Sequence, residues 1–285
     1  MGLYETEETR RFTFEPFAAH PFYTAVNRLL VQQALAPLAT RSNNATLMIV
    51  DMACGTGAIT RLIAEEIAAQ ERQARIIGVD PSEEALVHAQ KGMEEIGAKA
   101  DFFQGETTDL PALVHDADAV FFCNAIHLVP DKHTAFQHIA AILAPGGVFA
   151  CNSAFYNGTS PEETTRFGRL WIRRAAGWLR KEHPEALATR EVKTTAMHLL
   201  TPGEYNTLLQ EHGFGQVEAV QEYVMMSLDG LRDLGHYRLF IEGALPGVQL
   251  TLGAMALGNT VYQTGQELGM AEVPRLWLQI IAIKG

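Results

Sequence analysis

The sequence predicts an α/β fold, a doubly wound and mostly parallel sheet with helical insertions, and three observations carry that expectation. From Thr46 to Cys151, short apolar runs alternate with segments of helical periodicity, the pattern of strands joined by crossover helices. A glycine-bearing turn, Val50-Asp51-Met52-Ala53-Cys54-Gly55-Thr56-Gly57, leaves the first run and opens the first helix. An acid, Asp80, closes the second run 23 residues beyond Gly57.

Taken in order, Phe22 to Leu38 is an apolar-rich helix that precedes the sheet. Leu47-Met48-Ile49-Val50 reads as a buried strand and Ala58 to Ala69 as a helix. Arg75 to Val79 is the second strand. Pro81 then opens a helix in which Ala85, Leu86, Ala89 and Met93 recur at helical spacing. Ala100 to Phe103 and Ala119 to Phe122 are the third and fourth strands. A helix over Thr134 to Leu143 is stopped by Pro145-Gly146-Gly147, and Val148-Phe149-Ala150 begins the fifth strand. Thr201-Pro202-Gly203-Glu204 opens a helix ending near Gly213. Gln216 to Met226 and Trp277 to Ile283 complete a set of seven strands. The two long stretches between these late elements are helical in pattern, with Trp171, Ile172, Trp178 and Leu179 in the first and Leu231, Phe240, Leu250 and Leu257 in the second.

Composition narrows the function. With 285 residues, 47% apolar and 19% charged, the chain can bury a sizeable core. A net charge of −11 argues against a nucleic-acid partner, which calls for a basic surface. Cys54, Cys123 and Cys151 lie far apart, so neither a disulfide framework nor a metal site follows. Met1 to Glu8 is acidic and lacks the apolar segment of a signal peptide, although Gly2 with Thr6 meets the loose myristoylation pattern. No run reaches the roughly 20 apolar residues of a membrane span. A cytoplasmic protein is expected, without stable membrane insertion and of undetermined oligomeric state.

At the glycine turn, backbone N–H groups and a helix N-terminus can meet a ligand closely. An acid placed like Asp80 can accept from both ribose hydroxyls of a nucleoside cofactor, or can simply cap the helix beginning at Ser82. A dinucleotide fingerprint would carry a third glycine where Thr60 stands, and Asp51 would repel a pyrophosphate while suiting a cationic amino group.

That combination resembles the class I S-adenosylmethionine-dependent methyltransferases, whose first motif runs acid-x-Gly-x-Gly-x-Gly. Phe103-Gln104-Gly105-Glu106-Thr107-Thr108-Asp109-Leu110-Pro111 resembles the family's third-strand motif. Asp118 to Asp131, with Ala125-Ile126-His127-Leu128-Val129-Pro130, resembles the fourth. Leu143-Ala144-Pro145-Gly146-Gly147 resembles the turn into the fifth strand. Two departures stand out: Ala53 replaces the first glycine of the first motif, and Glu106 replaces the usual aspartate.

The resemblance implies a seven-stranded sheet whose last strand is antiparallel. It implies a core over 46–154 and 201–227 closed by a last strand at 274–285. Segments 1–45, 155–200 (a lid) and 228–273 would form a helical cap. It further implies S-adenosylmethionine as cofactor, with S-adenosylhomocysteine as product. The cofactor would be held by Asp51, Ala53, Cys54, Gly55 and Gly57; by Asp80 and Pro81; by Gly105, Glu106 and Thr107; and by Cys123 and Asn124, with no metal. A small, fairly apolar or carboxylate-bearing acceptor is expected.

Methyl transfer from a sulfonium needs alignment above all, and a base only for some acceptors. His127 is a candidate base or substrate orienter, or packs locally. Tyr156 could orient an acceptor and Tyr23 could cover the cofactor, or both are core aromatics. His20, His198 and His236 fall in the cap segments without a distinguishable role. In the segment from Arg166 to Lys181, six basic residues accompany an apolar stripe. It suits a solvated lid face, a site for an acidic acceptor or acyl-carrier partner, or an anionic membrane surface. Rival readings are a nicotinamide-dependent oxidoreductase, a non-catalytic cofactor-binding module, and a chain that uses the cofactor's charge for decarboxylation or cyclisation.

Overall fold

The computed structural model describes residues 12–40, 45–187 and 199–285. His198 and the acidic N-terminal stretch, with its Gly2 and Thr6 pattern, lie outside them. In chain order the elements are α1 (Glu15–Ala18), α2 (Pro21–Leu35), β1 (Leu47–Met52), α3 (Ala58–Ala69), β2 (Ala74–Asp80), α4 (Glu83–Glu95), β3 (Asp101–Gln104), α5 (Leu110–Leu113) and β4 (Ala117–Cys123). They continue as α6 (Lys132–Ile142), β5 (Leu143–Ser153), α7 (Glu162–Glu182), α8 (Pro202–Glu211), β6 (Phe214–Ser227), α9 (Leu228–Leu234), α10 (Arg238–Ala244), α11 (Leu250–Leu268) and β7 (Glu272–Lys284). The seven strands form one sheet of order β3-β2-β1-β4-β5-β7-β6. β3 through β5 pair in parallel and β7 runs antiparallel to β5, as the sequence predicts.

The chain divides into two compact units. The sheet unit comprises Ala25–Gly158, Met197–Glu222 and Trp277–Gly285. The helical unit draws on Met1–Thr24, Thr159–Ala196 and Tyr223–Leu276. The division falls inside α2, β6 and β7.

In the sheet unit, β1 and β4 are central and buried along nearly their whole length, hence their unbroken apolar runs. Three helices of this unit start where a side chain supplies a cap. Ser82 Oγ accepts from the Ala85 N–H at the start of α4, and Glu83 and Glu84 suit the positive end of that helix. Asp131 caps α6 through the Thr134 N–H, and Thr201 with Glu204 forms a capping box for α8. The core joins Val50, Val79, Val120, Phe136, Phe149 and Ile280.

One difference from the sequence reading lies at β5, which starts at Leu143, before the Pro145-Gly146-Gly147 turn. Ala117 pairs with Leu143 and Ala119 with Val148, so the turn is a bulge inside the strand.

In the helical unit α7 packs on α11, and α7 buries Phe167, Leu170, Trp171, Ala175 and Leu179, a stripe at helical spacing. The Trp171 indole N–H donates to the Leu257 carbonyl at 2.9 Å, which satisfies the ring's polar edge inside the core. Tyr23 meets Phe14 and Phe17 edge to face, and those two rings are tilted against each other. Among the described residues, no helix is long and apolar enough to cross a membrane.

Candidate active site

The sheet order reverses between β1 and β4: β2 and β3 lie to one side of β1, β5 to the other. Ligands of open α/β sheets bind outside the carboxyl ends of the strands at this switch point. The carboxyl ends of β1, β2 and β4 and the loops after β1, β2, β3 and β4 hold the twelve residues expected at the cofactor, and Asp51 sits in register with Gly78 of β2 and Phe121 of β4.

Asp51 is 1% exposed. Its Oδ2 accepts from the Thr60 hydroxyl at 2.6 Å, while Oδ1 is buried with no hydrogen-bond partner among the described residues. Burial pushes this carboxyl up to about 7, against the Thr60 bond and with help from the Asp80 charge. Thr60 occupies the place of the third glycine in a dinucleotide fingerprint, and here it serves as the donor that fixes Asp51.

Asp80 holds the glycine turn in place. One oxygen accepts from the Gly55 N–H at 2.8 Å and the other from the Ser82 N–H at 2.9 Å. The helix cap is Ser82, so the capping alternative for Asp80 is not the one adopted. Gly55 has φ +53° and a Cβ there would meet nothing within 4 Å. Gly57 has φ +86° at the start of α3, and a Cβ there would stand 3.0 Å from the Ala89 Cβ. Ala53 takes φ +55° without being glycine. Cys54 is buried and donates its N–H to Val79 O at 3.1 Å; burial raises its thiol far above the usual range.

After β3, the Gly105 N–H donates to Asp80 O at 3.1 Å, and the Glu106 N–H donates to Asp109 Oδ2 at 2.7 Å. Glu106 is exposed, Thr107 opens a short 3-10 turn, and Pro81 accepts at its carbonyl from Gln104. Cys123 ends β4, buried, its thiol pushed up by burial.

Asn124 has φ +56° and its side chain is engaged on both sides. Its Nδ2 donates to Asn27 Oδ1 at 3.1 Å, and its Oδ1 accepts from the Trp277 indole at 3.1 Å. Asn152 Nδ2 donates to the same Asn27 oxygen at 2.8 Å. Sequence reasoning missed Asn27 and Asn152, since nothing local ties them to Asn124.

His127 is buried, its Nδ1 2.9 Å from Ser153 Oγ and its ring centroid 5.0 Å from that of Phe155. Ser153 Oγ also accepts from the Phe155 N–H and donates to the Phe155 carbonyl, each at 2.9 Å. With the single hydroxyl proton given to that carbonyl, Nδ1–H donates to Ser153 and Nε2 carries the free lone pair. Burial, then the Lys132 charge, holds this imidazole down to about 4, so it is neutral at neutral pH.

Tyr156 follows β5 and its hydroxyl accepts from Gln221 at 3.0 Å. Tyr23 belongs to the helical unit, as do His20, paired with Asp233 at 2.9 Å, and His236, stacked on Phe12. Among the described residues, no group of three or more His, Cys, Asp or Glu is arranged to hold a metal.

The fold and this loop chemistry are those expected of a nucleoside-cofactor site on an open α/β sheet. Residues 49–147 match the family model described as a methyltransferase domain. The chain is 25% identical over 210 residues to a carboxy-S-adenosyl-L-methionine synthase of Wolinella succinogenes, covering 72% of this chain and 82% of that protein. It is 34% identical over 118 residues to a trans-aconitate 2-methyltransferase of Acidovorax sp. (strain JS42), covering 41% of this chain and 42% of that protein. A solved phosphoethanolamine N-methyltransferase 2 of Haemonchus contortus, in complex with phosphomonomethylethanolamine and S-adenosylhomocysteine, shares the fold with TM-score 0.55 at 16% identity. That match covers 99% of this chain and 59% of the other. Residues 49–147 thus carry a methyltransferase domain on the fold shared with solved methyltransferases, which favours the S-adenosylmethionine-dependent reading over the nicotinamide and non-catalytic ones.

Proposed function

We propose that the enzyme methylates a small-molecule acceptor, fairly apolar or carboxylate-bearing, with Asp51 and Asp80 as the cofactor's anchors and His127 as the orienter of the acceptor. The observation that carries the reading is the Asp51 oxygen left buried without a partner. A buried acceptor of this kind is costly unless a ligand cation completes it, and the cofactor's ammonium is such a cation. Asp80 already spends one lone pair of each oxygen on Gly55 and Ser82. A carboxylate has about four such sites in all, so it can accept from ribose hydroxyls as well as from the backbone.

S-adenosylmethionine supplies a methyl group on a sulfonium, an excellent leaving group. The protein's part is to align the acceptor and exclude water. The neutral His127, with Nε2 as acceptor, suits holding a hydroxyl or amine proton. Its low pKa makes it an orienter rather than a strong base.

The test is a thermal-shift titration with S-adenosylhomocysteine, followed by incubation with S-adenosylmethionine and a panel of hydroxylated, aminated and carboxylated metabolites. At about 100 times the dissociation constant, binding adds roughly 2.7 kcal/mol and raises the melting temperature by about 5–10 °C. No shift at millimolar S-adenosylhomocysteine sinks the reading. A second reading is favoured by the synthase relative that aligns over 72% of the chain: S-adenosylmethionine would itself be the molecule modified. Mass spectrometry separates the two, since either the acceptor or the cofactor changes mass.

A further inference from the structure

Wholly within the helical unit, α7 and the carboxyl end of α11 enclose an open groove of about 530 Å³. Leu170 and Leu268 contribute apolar surface to it, and Glu162, Glu267, Arg166, Arg169 and Arg173 are among its polar lining. The three arginines are spaced by three and four residues, so they share one face of α7 along about 10 Å of helix. All three are exposed, and among the described residues none has a carboxylate within ion-pair distance.

That row is unfavourable for the helix taken alone. Like charges three and four residues apart destabilise it. Arg166 stands near the positive end of α7, where the macrodipole opposes it, whereas Arg180 and Lys181 stand in the last turn, where the macrodipole favours them. Other arginines of the chain are paired: Arg174 with Glu267, Arg75 with Asp101, Arg28 with Glu65 and Glu66. In a chain of net charge −11, three adjacent guanidiniums without an ion-pair partner among the described residues line one concave surface, an arrangement that favours anions.

We propose that this groove binds a small polyanion bearing two or more carboxylate or phosphate groups, with the three guanidiniums as its partners. The proposal does not rest on methyl transfer, and its test does not read activity.

Isothermal titration calorimetry of the full chain at low ionic strength, with citrate and with tripolyphosphate as probes, is the direct experiment. Saturable one-to-one binding of at least one probe is expected, weakening as salt is added. Citrate alone marks carboxylate chemistry and tripolyphosphate alone marks phosphate. The triple variant Arg166→Gln, Arg169→Gln, Arg173→Gln is expected to bind at least tenfold more weakly, while Arg75→Gln binds as the parent does. Should the triple variant fold poorly by circular dichroism, Arg169→Gln alone is expected to show part of the loss and Arg169→Lys less of it. No saturable heat with either probe at millimolar concentration, or equal binding by the triple variant, overturns the proposal. So does a triple variant that merely melts earlier while the parent ignores both anions.

Discussion

Asp51 shows how one side chain can be unfavourable for the protein alone and favourable for its ligand. Its carboxyl titrates near 3.8 when unfolded and about 7 when folded, so between those values the folded chain holds a proton that the unfolded chain has released. Stability from this group is therefore complete at acid pH and is lost as pH rises through about 7, by roughly 4 kcal/mol at most. His127 works in the opposite sense. Held at about 4 against an ordinary 6.5, it withdraws stability as pH falls between those values. The two overlap, so the informative quantity is the parent compared with Asp51→Asn. Chemical denaturation from about pH 5.5 to about pH 8 should show the variant gaining on the parent as pH rises. S-adenosylhomocysteine affinity, by contrast, should rise with pH in the parent. In Asp51→Asn it should be flat and at least tenfold weaker by calorimetry. Unchanged affinity in the variant would remove Asp51 from the site.

Among the elements, the turn from β1 into α3 separates two roles that one motif conceals. Gly57→Ala puts a Cβ against Ala89 at φ +86° and is expected to cost about 2 kcal/mol, lowering the melting temperature by about 5 °C with little effect on ligand affinity. Gly55→Ala meets open space at φ +53°, so about 1 kcal/mol of stability is at stake while S-adenosylhomocysteine binding falls at least tenfold. Melting curves and calorimetry on both variants check the contrast, and the reverse pattern would exchange the roles. Helix α3 was legible to the residue, because a glycine turn before it and an apolar period within it mark both ends. The start of β5 was not. Pro145-Gly146-Gly147 reads locally as a stop, and only pairing of Leu143 with Ala117 on the neighbouring strand turns it into a bulge. β7 likewise begins at Glu272 rather than at Trp277, beyond where the apolar run alone announces it.

At the scale of the molecule, what the sequence hid is long-range polar contact. Asn27 receives hydrogen bonds from Asn124, 97 residues away, and from Asn152, 125 residues away. Trp277 reaches Asn124 across 153 residues. No periodicity or local motif can encode such pairings, yet within the sheet unit they tie α2 to the ends of β4 and β5 and to β7. Asn27→Ala would remove the acceptor shared by the Asn124 and Asn152 amides at a cost of about 3 kcal/mol, lowering the melting temperature by about 6–10 °C. Differential scanning calorimetry measures this directly, and a fall below about 2 °C would mean the network contributes little.

The carboxylates at the head of the sheet carry a consequence for turnover. Asp51 and Asp80, in the roles proposed for them, grip the amino and ribose groups, and these are identical before and after the methyl group departs. Neither acid can tell fresh donor from spent nucleoside, so the spent form competes for the same grip. The enzyme's pace would then follow how quickly its surroundings clear that by-product as well as how much donor they supply.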